Sequence, residues 1–226
     1  MHIRVLGSAA GGGFPQWNDN GNNCRGVRAG DPNFQARNQS SITVSSNSID
    51  WILINASPDI RPQLESFPPL QPARKIRDTG IASIIITDSQ IDHTTGLLSL
   101  REHDKPWDIY CTKSVYEDMT TGFPIFNILG HFRGINWHEV STDQIPYTIP
   151  KADNIIFTAV PLQSEAPPYS PHRHNTVPGD NVGYKIEDTK TGKNLFYAPG
   201  LGVIEDHVYD YLKNADVVLI DGTVWT

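Results

Sequence analysis

The chain contains little cysteine, carries fewer positive than negative charges, and lacks any long apolar run. Two cysteines, Cys24 and Cys111, in 226 residues are too few for a disulfide scaffold, which favours a reducing compartment. The 18 lysines and arginines against 25 aspartates and glutamates give a net charge of −7, which argues against a groove for nucleic acid. No stretch has the length of a membrane-spanning helix, and the N-terminus lacks the apolar core of a signal peptide. We therefore expect a cytoplasmic protein that neither inserts into membranes nor binds nucleic acid.

What the chain does contain is typical of one globular domain with long loops. Its composition is 38% hydrophobic and 19% charged, and its 18 glycines and 17 prolines favour loops. Short β-rich runs predict nine strands, at 3–6, 41–45, 51–55, 82–87, 108–112, 155–161, 182–186, 194–198 and 216–220. Helical patterns occur at 59–66, 92–102, 113–120, 125–132 and 205–213. The second and third strands predict a hairpin. Because helices and strands alternate only after this meander, we expect α/β layers with mixed sheets.

The most informative segment is 84–96, where an apolar strand ends in side chains that bind metals. Asp88, Asp92 and His93 follow the run of isoleucines, at a strand end where α/β proteins commonly place reactive groups. The alternative is an ordinary helix start with Asp88 or Ser89 as the N-cap. Capping accounts for one carboxylate but not for Asp92 and His93 side by side.

A second group of candidate ligands lies at 169–174. In a strand, His172 and His174 would face the same side, and one of them could meet Asp92 and His93. The alternative is two solvated loop histidines flanked by proline. Two histidines and a carboxylate with open coordination positions suit non-haem Fe(II). Asp221, after the apolar run 217–220, is a further carboxylate at a strand end.

The segment 7–13 is rich in glycine and invites comparison with a dinucleotide-binding loop. Its spacing does not fit that motif, and Phe14 and Pro15 do not readily open a helix. We expect these glycines to let the backbone pass close to a site or a partner. The polar loop 17–24 has one cysteine and does not by itself have the spacing of a zinc site.

Four segments, 7–17, 55–61, 87–96 and 166–174, resemble the coenzyme PQQ biosynthesis protein B family of the metallo-β-lactamase-like superfamily. The resemblance implies an αββα sandwich of two mixed sheets flanked by helices, with the site at one edge of the sheets. It also implies a role in making pyrroloquinoline quinone (PQQ) from a precursor derived from Glu and Tyr. Two activities are consistent with it: iron-dependent hydroxylation of the tyrosine ring of that precursor, or non-catalytic carriage of PQQ or the precursor towards the periplasm.

The chain departs from the superfamily's metal motif, His-x-His-x-Asp-His. Asp88 and Gln90 stand where the first two histidines would be, while Asp92 and His93 match the last two positions. The segment 196–200, where a metal-bridging aspartate is expected, has no carboxylate. These departures argue against a two-metal hydrolase and favour a single divalent metal, with Fe(II) preferred. The predicted ligands are Asp88, Asp92, His93, His174 and Asp221, with His172 as the alternative to His174.

Two further differences concern the loop after Trp17 and the end of the chain. The family's Cys-x-Cys-x-x-Cys zinc site would fall on Asp19, Gly21 and Cys24, so a structural zinc is not expected unless Asp19 and an outside ligand substitute. Family members continue beyond Thr226 with a late Gly-His ligand. We therefore expect residues 1–226 to form one metallo-β-lactamase-like domain without its C-terminal part.

Overall fold

The computed structural model describes residues 1–222, which contain ten strands and six α-helices. The strands are β1 (His2–Gly7), β2 (Ser41–Ser45), β3 (Trp51–Ile54), β4 (Ile81–Ile85), β5 (Trp107–Cys111), β6 (Ile135–Glu139), β7 (Ile155–Pro161), β8 (Val182–Asp188), β9 (Lys193–Ala198) and β10 (Val217–Ile220). The helices are α1 (Asn22–Arg28), α2 (Ile60–Glu65), α3 (Ile91–Thr94), α4 (Lys113–Thr120), α5 (Ile125–Leu129) and α6 (Asp206–Asn214). Short 3-10 helices occur at Pro68–Leu70 and Thr95–Leu98.

The strands form two mixed sheets. In the first, β1 to β6 lie in chain order; β1, β2 and β3 are antiparallel neighbours, and β3 to β6 run parallel. In the second, the order is β10-β9-β8-β7, with only β10 and β9 parallel. Because β4, β5 and β6 are parallel, their carboxyl ends meet at one edge of the first sheet. This edge carries the segment that follows β4, where the sequence predicts the site.

Side-chain alternation along the strands produces one core on each face of a sheet. Ile52 and Ile54 of β3 pack between the two sheets with residues such as Phe157 and Tyr184, whereas Leu53 faces the helices. Because both faces are covered, the strands read as nearly continuous apolar runs. The α2, α4 and α5 helices and Cys111 belong to the core outside the first sheet. The α6 helix covers the second sheet through Val208.

The four layers confirm the predicted αββα sandwich, and all nine predicted strands are present with small shifts of their ends. The predicted hairpin is also confirmed. Three predictions of local structure are wrong. The helix expected at 92–102 stops at Thr94, because Gly96 is docked on the 56–57 backbone: a Cβ at Gly96 would lie 2.2 Å from the Ser57 carbonyl oxygen. Residues 171–174 form turns and no strand. The polar helix α1 lies where a loop was expected.

The sequence patterns also missed β6. This strand lies at the edge of the first sheet and exposes Asn136 and Glu139, so its apolar alternation is weak. Across residues 1–222, no helix combines the length and the apolar character needed to cross a membrane.

Candidate metal centre

The turn after β4 places a buried carboxylate against a buried imidazole. Nδ1 of His93 lies 2.8 Å from both carboxylate oxygens of Asp88, and both residues are almost fully buried. Asp88 also accepts hydrogen bonds from the Thr87 hydroxyl at 2.8 Å and from the Gln90 backbone N–H at 3.0 Å. The helix itself begins after Gln90, which makes no side-chain cap, so Asp88 and Ser89 are not N-caps. The carboxylate therefore orients His93 with Nδ1 as the donor.

The electrostatics of this pair favour its charged form. Burial by itself lowers the pKa of His93, but the charge and hydrogen bond of Asp88, with the charges of Asp92 and Asp221, outweigh burial and raise the pKa to about 9. Burial likewise raises the pKa of Asp88, but His93 and the donors from Thr87 and Gln90 hold it below its ordinary value. Without a metal, the buried pair is therefore imidazolium and carboxylate at neutral pH.

Asp92 lies on the other side of the imidazole. Its Oδ2 is 3.9 Å from Nε2 of His93, and its side chain is 23% exposed. Gly11 of the glycine-rich loop backs onto this carboxylate, since a Cβ at Gly11 would lie 3.4 Å from Asp92 Oδ2. The loop therefore brings the backbone close to the site, as the sequence predicts. Asp92 and Nε2 of His93 are two donors suited to a divalent metal, with Asp88 behind the imidazole as its hydrogen-bond partner.

The other predicted ligands are not joined to this pair in the same way. His174 lies exposed in the turns at 171–174 and makes no hydrogen bond or ion pair with Asp92 or His93 in the described part of the chain. His172 is held elsewhere, with Nδ1 2.9 Å from Asp180 and Nε2 3.6 Å from Glu117. Asp221 follows β10 and contributes to the raised pKa of His93.

A complete ligand set for a metal is not formed by residues 1–222, where no group of three or more His, Cys, Asp and Glu side chains is arranged to hold an ion. The fit to a metal is therefore limited to two donors, Asp92 and His93. Asp88 was predicted as a ligand, but both of its oxygens are engaged by His93. Gly200, in the segment expected to carry a bridging aspartate, lies against Asp88: its Cβ would be 3.4 Å from Asp88 Oδ2.

Supporting residues that sequence reasoning did not single out surround the pair. Asn55 has a left-handed backbone with φ of 63°, and its amide exchanges hydrogen bonds with Thr87 at 2.9 to 3.1 Å. Thr87 in turn bonds Asp88, so β3 helps to fix the carboxylate. The hydroxyl of Tyr197 lies 2.9 Å from that of Ser40, and the charges of Asp88 and Asp92 act on it. A signal for Asn55 was present in the sequence, because a polar residue closes an apolar strand.

An open cleft of about 630 Å³ lies at the same edge of the first sheet. It is formed where β5 and β6 end and α4 begins, and it is lined by charges of both signs. Its charged and titratable lining residues are Lys113, Glu117, Glu139, Asp143 and His172. The hydrogen bond of His172 to Asp180 raises the pKa of this histidine, which favours its cationic form.

The loop that would hold a structural zinc is closed instead by an arginine. Arg28 donates to the carbonyl oxygens of Asp19, at 2.5 Å, and of Gln16. The Asp19 carboxylate accepts from the backbone N–H of Gly21 and interacts with the buried thiol of Cys24. One thiol and one engaged carboxylate do not make a zinc site, and the guanidinium cation holds the turn.

Comparison with protein families and curated proteins gives concordant matches. A beta-lactamase superfamily domain model matches residues 50–226. "Coenzyme PQQ synthesis protein B" of Stutzerimonas stutzeri is 58% identical over 226 residues, covering 100% of this chain and 74% of that protein. The protein of the same description from Nitrosococcus oceani is 57% identical over 231 residues, covering 100% and 75% of the two chains.

Solved structures agree with these matches. The crystal structure of Zn²⁺-bound PqqB from Methylobacterium extorquens has a TM-score of 0.84 and 31% identity, covering 98% of this chain and 73% of that one. A diphosphatase from the PhnP family has a TM-score of 0.68 at 19% identity over 96% of this chain and 71% of that one. The second likeness concerns the fold alone.

Proposed function

Because the chain belongs to the coenzyme PQQ synthesis protein B family, within the beta-lactamase superfamily, we propose that it takes part in the synthesis of PQQ as a single-metal oxygenase. Its substrate is the precursor derived from Glu and Tyr, and the reaction is hydroxylation of the tyrosine ring. One oxygen atom of O₂ enters the ring, the other leaves as water, and an external two-electron reductant balances the step. The observation that carries this proposal is the arrangement around His93. One imidazole nitrogen is held by Asp88, and the other faces the carboxylate of Asp92.

This arrangement supports one metal better than two. A hydrolase of the two-metal type needs donors for both ions, and here the first position has lost its histidines. Asp88 and Gln90 stand in their places, and Asp88 is committed to His93. One carboxylate and one imidazole suit a divalent metal of intermediate hardness, for which Fe(II) is our choice, although the relative named above carries Zn²⁺.

The residues of this chain have distinct parts in the proposed site. His93 and Asp92 would bind the metal, and Asp88 would keep the imidazole in the tautomer that frees Nε2. Gly11 brings the backbone of the glycine-rich loop beside the Asp92 carboxylate. Fe(II), when bound, supplies the open coordination positions and the redox chemistry that reaction with O₂ requires.

The cleft at the ends of β5 and β6 supports a substrate that carries both charges. Lys113 suits a carboxylate, and Glu139 and Asp143 suit an amine. A precursor made from two amino acids has both kinds of group. The acidic groups and the net charge of −7 both disfavour a polyanionic ligand.

Turnover with defined metals tests the proposal. The protein is freed of metal and loaded under anaerobic conditions with Fe(II) or Zn²⁺. It is then given the precursor, O₂ and ascorbate as the two-electron reductant, and mass spectrometry follows the gain of one oxygen atom. We expect product only with iron, and loss of product in Asp92→Ala and His93→Ala. His131→Ala, which removes an exposed histidine, is the matched control. Unchanged turnover in both site variants would contradict the proposal.

Carriage of PQQ or its precursor is the second candidate, favoured by one observation. Only two donors face each other at the site within residues 1–222. Calorimetry that finds tight quinone binding without metal, together with no product from iron and O₂, would favour carriage. Elemental analysis of protein purified from its native background separates the candidates further: one iron per chain supports the oxygenase, and two zincs would favour a hydrolase.

A further inference from the structure

Ser89, the residue after Asp88, is held from two sides by parts of the chain that are distant in sequence. Its hydroxyl donates to Oδ2 of Asp118 on α4 at 2.5 Å. Its carbonyl oxygen accepts from the hydroxyl of Tyr169 at 2.5 Å. Ser89 and Asp118 are fully buried, and the partners are 29 and 80 residues away along the chain. Both bonds therefore act on the turn that carries Asp88.

Asp118 is a buried carboxyl, and burying it costs desolvation free energy. Ser89 engages Oδ2 of this buried carboxylate, and Ser170 also interacts with the group. Burial raises the pKa of Asp118, and the charge of Asp180 adds to the shift, while Ser170, Ser89 and His172 oppose it. Against this desolvation cost, the bond of the carboxyl to Ser89 fixes the turn that carries Asp88.

Tyr169 is itself rigidly placed. Its ring packs on Phe123, with the ring centroids 5.0 Å apart, and its backbone touches Gly122 so closely that a Cβ there would lie 1.9 Å from the Tyr169 carbonyl oxygen. Burial raises the pKa of Tyr169 above its ordinary value, so the hydroxyl stays protonated and remains a donor. The bond to Ser89 therefore transmits the position of the 162–181 loop to the turn.

We propose that Asp118 and Tyr169 are positioning residues that hold Ser89, and through it the Asp88–His93 pair, in the geometry that presents Nε2 of His93. The inference rests on the proposed function only in assigning His93 to a metal. The argument is geometric: Ser89 is covalently joined to Asp88, and the Gln90 N–H that follows bonds the Asp88 carboxylate. The bridge of Asp88 to Asn181 holds the turn before Ser89, and the two bonds of Ser89 hold it after Asp88, so their loss should loosen the Gln90 N–H that bonds the carboxylate.

Ring-nitrogen NMR of the metal-free full chain, selectively labelled with [¹⁵N]histidine, tests the inference. We expect Ser89→Ala, Tyr169→Phe and Asp118→Ala each to shift or broaden the His93 signals. Asp118→Asn keeps an acceptor for the Ser89 hydroxyl and should restore them. Tyr184→Phe is the matched control, because it removes a buried tyrosine hydroxyl in the core between the sheets that does not contact Ser89.

Zn²⁺ affinity, measured by competition with a chelating dye, gives a second readout. We expect about fivefold weaker binding in Ser89→Ala and in Tyr169→Phe, the loss associated with one hydrogen bond. Variants that lower only the melting temperature, with unchanged His93 signals and unchanged Zn²⁺ affinity, would overturn the inference. The NMR result does not depend on turnover, so a wild-type protein that fails to hydroxylate the precursor would contradict the proposed function and leave the positioning role intact.

Discussion

The metal-free protein should lose stability as the pH rises from about 6.5 to above 9. The pKa of His93 is raised from 6.5 to about 9 in the folded state. The stabilisation that accompanies a raised pKa is complete when the pH is below the pKa of the unfolded state. It is lost as the pH rises through the pKa of the folded state. At roughly 1.4 kcal/mol per pH unit, the change in the free energy of unfolding is about 3 kcal/mol. Asp88, whose pKa is lowered, has the opposite dependence: its contribution is lost as the pH falls below 3.8.

Urea denaturation of metal-free protein at pH 6.5 and pH 9.5 measures this difference, and NMR titration follows His93 directly. Asp88→Asn removes the charge that holds the imidazolium, so burial dominates and the pKa of His93 should fall below that of the wild type. The variant should therefore lose much of the pH dependence. A wild-type His93 that titrates at or below pH 6.5, or an equal loss of stability in both proteins, would refute the reasoning.

Three other predictions concern metal binding at His93, the loop held by Arg28, and the packing of Gly96. Zn²⁺ binding to His93 should release a proton below pH 9, and its affinity should increase as the pH rises. Calorimetry in buffers of different ionisation enthalpy measures the proton release, and binding without it would contradict the prediction. Arg28→Gln should lower the melting temperature by about 3 °C, the effect of losing about 1 kcal/mol, whereas Arg25→Gln, which loses a bond within its own helix, should leave it unchanged. A melting temperature that falls when EDTA is added would show that zinc, and not Arg28, holds the loop. Gly96→Ala should lower the free energy of unfolding by about 2 kcal/mol or more, because the new Cβ would clash with the Ser57 carbonyl oxygen. An unchanged urea midpoint would contradict this and show that the backbone can move.

Much of the fold could be predicted because the information is local. Strand positions follow from runs of apolar, β-branched residues, and a strand is short enough that its pattern is complete within four to seven residues. The edge strand β6 and the helix α1 escaped because their apolar positions are few. The end of α3 depends on the contact of Gly96 with the 56–57 backbone, which no local pattern contains.

The site was predictable only in part. Asp88, Asp92 and His93 lie within one turn of chain after a strand, so their proximity follows from the sequence. The position of His174 does not, because the 162–181 loop takes its path from distant contacts, such as the Thr112 hydroxyl bonded to the Gly179 carbonyl oxygen at 2.6 Å. The sequence shows Ser89 beside Asp88, but nothing in it predicts a hydrogen bond from Ser89 to a residue on α4.

The residue at position 88 bears on how the proposed single-metal site is organised. A histidine there would offer a neutral donor to a first metal and could not neutralise an imidazolium at position 93. Asp88 has turned to His93, with both oxygens 2.8 Å from Nδ1, and so it gives the remaining imidazole a stronger orienting partner. The same carboxylate cannot serve a first metal without releasing His93. Asp88 and Gln90 together leave the proposed site without the first histidine pair, and the bond of Asp88 to His93 supports the single-metal proposal.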